Sequence, residues 1–127
     1  MEFPEDLYYT KDHEWLRLDG DDAYIGITEF AAGELGDIVY LDIPRVPVLE
    51  AGTVFGTIEA VKTVSDLFAP VSGALIEVNA EVLAYPELIN SDPYGKGWLV
   101  KVIITSPAQP GSLLTGEQYQ KMTGHNN

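Results

Sequence analysis

The sequence contains no cysteine, which removes disulfides, thiolate nucleophiles and cysteine-based metal sites together. Histidine is almost as scarce: His13 and His125 are the only two, too few for a histidine-rich metal centre. His13-Glu14 also lacks the second histidine four residues on that a zinc-protease motif needs. Basic side chains are few, with 7 Lys and Arg against 20 Asp and Glu, for a formal charge of -13. A surface of that sign repels phosphate backbones and anionic membranes, so neither nucleic acid nor membrane is expected as a partner. It steers the chain instead toward proteins with basic docking surfaces. No apolar run approaches membrane-spanning length. The acidic start, Met1 to Asp6, has no apolar run behind it and reads as neither a signal nor a transit peptide. A cytoplasmic protein is the expectation.

Hydrophobic residues make up 46% of the 127 positions, enough for one compact core. Twelve Gly and eight Pro in so short a chain point to many turns and a strand-rich fold. Glu14 to Leu18 alternates, Asp19 to Asp22 turns, and Ala23 to Ile27 returns as a hairpin partner. Thr28 is placed to cap a short helix through Leu35, with Gly36 to end it. Strands are expected over Asp37 to Ile43, Val54 to Ala60, Thr63 to Phe68, Ala74 to Val78 and Trp98 to Ile104. Asn90 to Gly97 reads as a loop. After Pro107 and Pro110, Thr115-Gly116-Glu117-Gln118 has the form of a capping box opening a C-terminal helix.

A faint internal repeat runs through these strands. Gly36 to Asp42 echoes Gly73 to Asn79, and Gly56 to Lys62 resembles Gly97 to Val102. Two such half-units pack naturally as a pair of small sheets, a flattened barrel or sandwich. The chain therefore reads as one domain over residues 1–127, with a core at about 9–105 and a C-terminal helical segment at about 111–123.

Lys62 is the residue of chemical interest. The strand ending Ile58-Glu59-Ala60 and the strand from Thr63 to Phe68 bring a lone basic side chain to a hairpin tip, where a modifying enzyme can reach it. Most hairpin lysines are no more than solvated turn residues, so position alone does not decide the matter. Gly56 through Lys62-Thr63 superficially follows a phosphate-binding loop. Val61, however, stands where the glycine before the lysine is required, and the segment lies within strands.

Glu59-Ala60-Val61-Lys62-Thr63-Val64-Ser65-Asp66-Leu67-Phe68-Ala69-Pro70-Val71-Ser72-Gly73 resembles the lipoylation segment of glycine cleavage H-proteins. Tyr9 to Leu16 is similar to the N-terminal motif of that family, as are Gly26-Ile27-Thr28, Leu35 to Tyr40, and Asn90 to Leu99. The matches run in order from about Tyr9 to Leu99. The departures are small: Ala60 stands where Ser is usual, removing a hydroxyl that could bear on recognition by the lipoylating enzyme, and Pro47 replaces a frequent Gly. Biotin carriers also use a hairpin lysine but flank it with methionines, whereas Val61 and Thr63 flank Lys62 here.

The resemblance implies a mainly β, barrel-sandwich hybrid fold of the lipoyl/biotinyl kind: two small antiparallel sheets, short helices and a C-terminal helix. It implies a lipoyl carrier and not an enzyme, with lipoate in amide linkage to Lys62 on an arm reaching on the order of 14 Å from the backbone by bond-length counting. The implied partners are a pyridoxal-phosphate glycine decarboxylase, which loads an aminomethyl group, and an aminomethyltransferase, which unloads it. Dihydrolipoyl dehydrogenase, which reoxidises the arm, and the lipoylating enzymes complete the set. A monomer is the expectation for a carrier entering several active sites. Glu14 and Asp66 match positions associated with the cleft that shelters the loaded arm, and Asp12, nearby in sequence, is a further candidate. Two other readings remain at this point. A relay donating lipoate to other enzymes would share Lys62, and a hydrolase built on Glu14 and Asp66 would need a nucleophile the chain does not display.

Overall fold

The computed structural model describes residues 1–105 and 113–124. Pro107, Pro110, His125 and the first two positions of the expected C-terminal segment lie outside them. The described elements are strands β1 (Tyr8–Tyr9), β2 (Glu14–Asp19) and β3 (Asp22–Ile27), helix α1 (Glu29–Leu35), and strands β4 (Ile38–Asp42), β5 (Val48–Leu49), β6 (Val54–Ala60), β7 (Val64–Phe68) and β8 (Gly73–Val78). Helices α2 (Ala80–Ala84) and α3 (Leu88–Ser91), strand β9 (Val100–Ile104) and helix α4 (Gly116–Met122) follow. One sheet has the order β1-β2-β3-β9-β8-β5 and the other β4-β6-β7, with every pair antiparallel. The mainly β, two-sheet architecture expected from the sequence is the one found, although the sheets are unequal, with six strands against three.

The internal repeat is present in the hydrogen-bond register. Ile38, Tyr40 and Leu41 of β4 pair with Ala60, Glu59 and Ile58 of β6, with a bulge between Ile38 and Tyr40. Leu75, Glu77 and Val78 of β8 pair with Val102, Lys101 and Val100 of β9, with a bulge between Leu75 and Glu77. The two ladders superpose with a shift of 37 on one strand (38 to 75) and 42 on the other (60 to 102). Matching Gly56 to Gly97 by sequence gives 41 on the second strand, one residue short. Side-chain pattern does not see which residue opposes the bulge, whereas the ladder counts it.

Local chemistry accounts for the helix ends. The Thr28 hydroxyl accepts from the Ala31 amide, and Gly36 closes α1 at φ 80°. Thr115 and Gln118 form the reciprocal capping box expected for α4. The Asn90-to-Gly97 loop begins two residues later than the sequence reading placed it, because Asn90 and Ser91 close α3. The Asn90 side chain accepts from the Ile38 amide at 3.0 Å and donates to the Gly36 carbonyl at 2.9 Å, tying α3 to the corner between α1 and β4.

The main apolar core lies between the sheets and includes Leu16, Ile25, Ile58, Leu67, Val71 and Leu99. A second cluster joins Leu7, Tyr9, Trp15 and Tyr119, so α4 is packed against the outer strands. Tyr9 and Tyr119 stack with ring centroids 4.8 Å apart, and Tyr9 bridges to Leu114. Trp15 is fully enclosed, its indole N–H donating to the Pro93 carbonyl at 2.9 Å. Its ring lies so close over Gly26 that a Cβ there would fall 2.6 Å from it.

Candidate functional site

Strands β6 and β7 form a tight hairpin whose tip is Val61-Lys62. The Ala60 amide donates to the Thr63 carbonyl at 2.8 Å across the tip, and the Val61 amide donates to Asp37 at 3.0 Å. Neither tip residue has positive φ, so the turn closes without the glycine or asparagine a left-handed position would favour. Lys62 is exposed at the end of a braced hairpin, and among the described residues it forms no ion pair. Val61 and Val64 beside it are also exposed, at 70% and 61%. Ala60 is buried and paired with Ile38. The hydroxyl lost at this position would therefore have faced the core, away from an enzyme approaching Lys62.

A cavity of about 420 Å³ opens beside β7, between that strand, α1 and the start of β2. Ile27, Leu35, Ile58 and Leu67 give it apolar walls. Asp12, Glu14 and Asp66 all line it, so the three acids singled out in the sequence come together in one place, with Glu34 of α1 as a fourth. The sequence reading missed Glu34 and His13 as lining residues. The amphipathic face of α1 was the signal for Glu34, but it does not reveal which sheet the helix packs on. Lys62 is not in the wall. It lies four residues before Asp66 along the strand, about 13 Å at ~3.3 Å per residue.

Glu14 differs in kind from the other acids. It is 1% exposed, and its Oε2 accepts from the Phe68 amide of β7 at 2.8 Å, bridging the two sheets. Its Oε1 is buried without a partner, alone in this among the buried side-chain atoms of the described residues. Burial pushes the carboxyl up to about 8; the Phe68 hydrogen bond opposes that rise and the neighbouring Asp12 charge adds to it. In the neutral acid the proton sits on Oε1, because Oε2 already accepts from the Phe68 amide; on ionising, Oε1 becomes a buried acceptor without a partner, which a cation would satisfy best.

An exposed hairpin lysine beside an apolar cavity that ends in carboxylates fits a covalently attached, hydrocarbon-stemmed arm with a cationic cargo. A family model described as glycine cleavage H-protein matches residues 7–126. The chain belongs to the glycine cleavage H-protein family. It is 54% identical over 121 residues to a glycine cleavage system H protein of Bacteroides fragilis, covering 94% of this chain and 96% of the relative. Against that of Pelodictyon phaeoclathratiforme it is 54% identical over 127 residues, covering 98% and 99%. The crystal structure of a glycine cleavage system H protein from Mycobacterium marinum superposes with a TM-score of 0.87 at 41% identity, over 95% of this chain and 98% of that one. H-proteins are the lipoyl carriers that move intermediates among the other components of the glycine cleavage system; they carry and do not catalyse. No helix of the described residues is long and apolar enough to cross a membrane.

Proposed function

We propose that this chain carries lipoate in amide linkage to Lys62 and shelters the loaded arm in the cavity lined by Glu14, Asp66 and Asp12. The observation that carries this reading is an exposed lysine at the tip of a hairpin whose second strand, through Asp66 and Leu67, lines a cavity that also holds the buried, half-partnered carboxyl of Glu14 on β2. The span of about 13 Å from Lys62 to Asp66 along β7 lies within a reach of about 14 Å for the extended lysyl arm. When bound, the lipoyl group supplies a disulfide that is reduced as the one-carbon cargo is taken up.

The chain's own residues do the rest. The two strands hold Lys62 at a fixed height, and only its side chain needs to swing. Ile27, Leu35, Ile58 and Leu67 offer the apolar surface along which a hydrocarbon stem lies. Glu14, largely protonated while the cavity holds no cation, ionises when an ammonium approaches Oε1, releasing its proton to solvent. Asp66, Asp12 and Glu34 add negative potential that keeps the amine protonated. A protonated amine has no lone pair with which to expel the neighbouring sulfur, and enclosure limits water.

The partners follow from the same reading: a pyridoxal-phosphate glycine decarboxylase, an aminomethyltransferase, dihydrolipoyl dehydrogenase and a lipoylating enzyme. The carrier acts as a monomeric domain in the cytoplasm. Intact mass and peptide mapping after expression with lipoate and a lipoate ligase test it. A lipoyl increment on Lys62, absent in Lys62→Arg, is expected. An unmodified chain, in cells where a control lipoyl domain is modified, overturns the assignment.

A further inference from the structure

His13 lines the cavity, yet nothing in the carrier chemistry above uses it. Its backbone is unusual: φ is 64°, and among the described residues no other non-glycine residue has positive φ. That conformation costs a side-chain-bearing residue on the order of 1 kcal/mol, and asparagine or glycine would adopt it more readily. The turn that imposes it is tightly bonded. The His13 amide donates to the Thr10 carbonyl at 3.1 Å, and the Thr28 amide donates to the His13 carbonyl at 3.0 Å. An imidazole kept where the backbone prefers another residue calls for a role of the ring.

The ring is held from the far end of the chain. Nδ1 lies 2.8 Å from the hydroxyl of Tyr119 on α4, and the ring packs 5.0 Å from that of Phe30 on α1. The same Tyr119 hydroxyl lies 2.7 Å from the hydroxyl of Thr28, and both side chains are fully buried. Hydrogen counting orders this chain. Thr28 Oγ1 already accepts from the Ala31 amide at 3.1 Å, and its own hydrogen has one acceptor within reach, the Tyr119 oxygen. The Tyr119 hydrogen must then go to His13 Nδ1. The opposite order strands a hydroxyl hydrogen in a dry site, at a cost of about 1–3 kcal/mol. With Nδ1 accepting, the ring proton of neutral His13 sits on Nε2, which has no partner among the described residues and is not enclosed.

We propose that Tyr119 holds His13 as the neutral tautomer protonated on Nε2, so that this imidazole offers the arm cavity an N–H donor and no positive charge. His13 is thus a positioning residue, and α4 is part of the cavity's machinery through one hydroxyl. Of the acids that share the cavity with the ring, Asp12 on its own loop and Glu34 on α1 favour a charged imidazole, while Glu14 on β2, largely protonated there, and Asp66 on β7 line the same cavity. Burial and the Tyr119 donation oppose them, and His13 lies below the ordinary histidine range through burial, against the pull of Asp12 and Glu34. A charged His13 would take up the carboxylates that the cationic cargo needs. A neutral one leaves the cargo as the sole cation among four acids. This consequence rests on the carrier reading; the tautomer itself does not.

The test is 15N NMR of the His13 imidazole in the unloaded chain across pH 5 to 8, comparing wild type with Tyr119→Phe, which keeps the aromatic stack with Tyr9. In wild type, Nε2 is expected to carry the proton, with a titration midpoint below the ordinary value. In Tyr119→Phe, both tautomers are expected, with the midpoint raised, and loaded Tyr119→Phe carrier should lose its cargo faster as pH falls through that midpoint. A wild-type proton on Nδ1, or a variant with unchanged tautomer and midpoint, overturns the proposal. A normal shift of tautomer with an unchanged cargo lifetime overturns its link to the arm. Failure of either protein to become lipoylated counts against the carrier reading, because the imidazole spectrum is read without the arm.

Discussion

Glu14 is where sequence motif, burial and chemistry meet. Its carboxyl lies near 8, well above an ordinary glutamate, chiefly because it is buried. A raised folded-state value means that the folded chain binds the proton more tightly than the unfolded one. The Glu14 contribution is therefore favourable at low pH and is lost as pH climbs from about 4.5 toward about 8. Denaturant unfolding of wild type and Glu14→Gln over this window should show a difference approaching about 1.4 kcal/mol per pH unit where Glu14 titrates. Parallel curves would mean that Glu14 is not strained by burial. The same substitution keeps a donor–acceptor side chain of similar size but removes the counter-ion, so the loaded carrier should lose its cargo several times faster while Lys62 is still modified. An equal cargo lifetime would remove Glu14 from the sheltering role.

At the scale of elements, the hairpin and its neighbours owe their geometry to packing that tolerates little added volume. Trp15 on β2 leans across Gly26 on β3, leaving no room for a Cβ. Gly26→Ala should cost about 1–3 kcal/mol, the usual penalty of overpacking, measured by chemical denaturation; an unchanged midpoint would show that the indole can move aside. Lys62→Arg on the opposite sheet should leave stability unchanged while abolishing modification, since the side chain is exposed. The β4–β6 and β8–β9 ladders carry bulges at equivalent places. A bulge bends its strand and raises the local twist, so the repeat preserves curvature as well as pairing. Sequence comparison found these segments by their glycines and apolar alternation but placed the second pair one residue out. A bulge changes which residues face each other without changing the pattern along either strand.

Across the whole molecule the formal charge of -13 is the dominant long-range property. The described residues contain two ion pairs, Lys101 with Asp22 and the exposed Lys121 with Glu117, so most acids are uncompensated. A carrier of this charge should be captured by the other glycine cleavage components through electrostatic steering. Raising salt from about 0.05 to 0.3 M shortens the Debye length to below about 10 Å. The apparent KM of each component for the carrier should therefore rise, with kcat little changed. A salt-independent KM would place the docking energy in apolar contact instead.

Much was settled by local sequence alone. The strands expected between Glu14 and Phe68, the Thr28 and Thr115 caps, the hairpin tip at Lys62 and the lack of any thiol each depend on residues a few positions apart, whereas the short strand β5 is not among those expected. So does family membership, because the motif residues keep their order and spacing. The tertiary structure decided what lies between distant segments. It placed Asp12, Glu14, Glu34 and Asp66 around one cavity, and it left Glu14 Oε1 buried without a partner. It also joined His13 to Tyr119, 106 positions away. Burial and hydrogen-bond satisfaction are properties of what surrounds an atom, and those surroundings come from strand pairing and helix packing across the chain. A glutamate in a sequence is an acid; only the fold makes this one a buried, largely neutral group with one oxygen unpartnered.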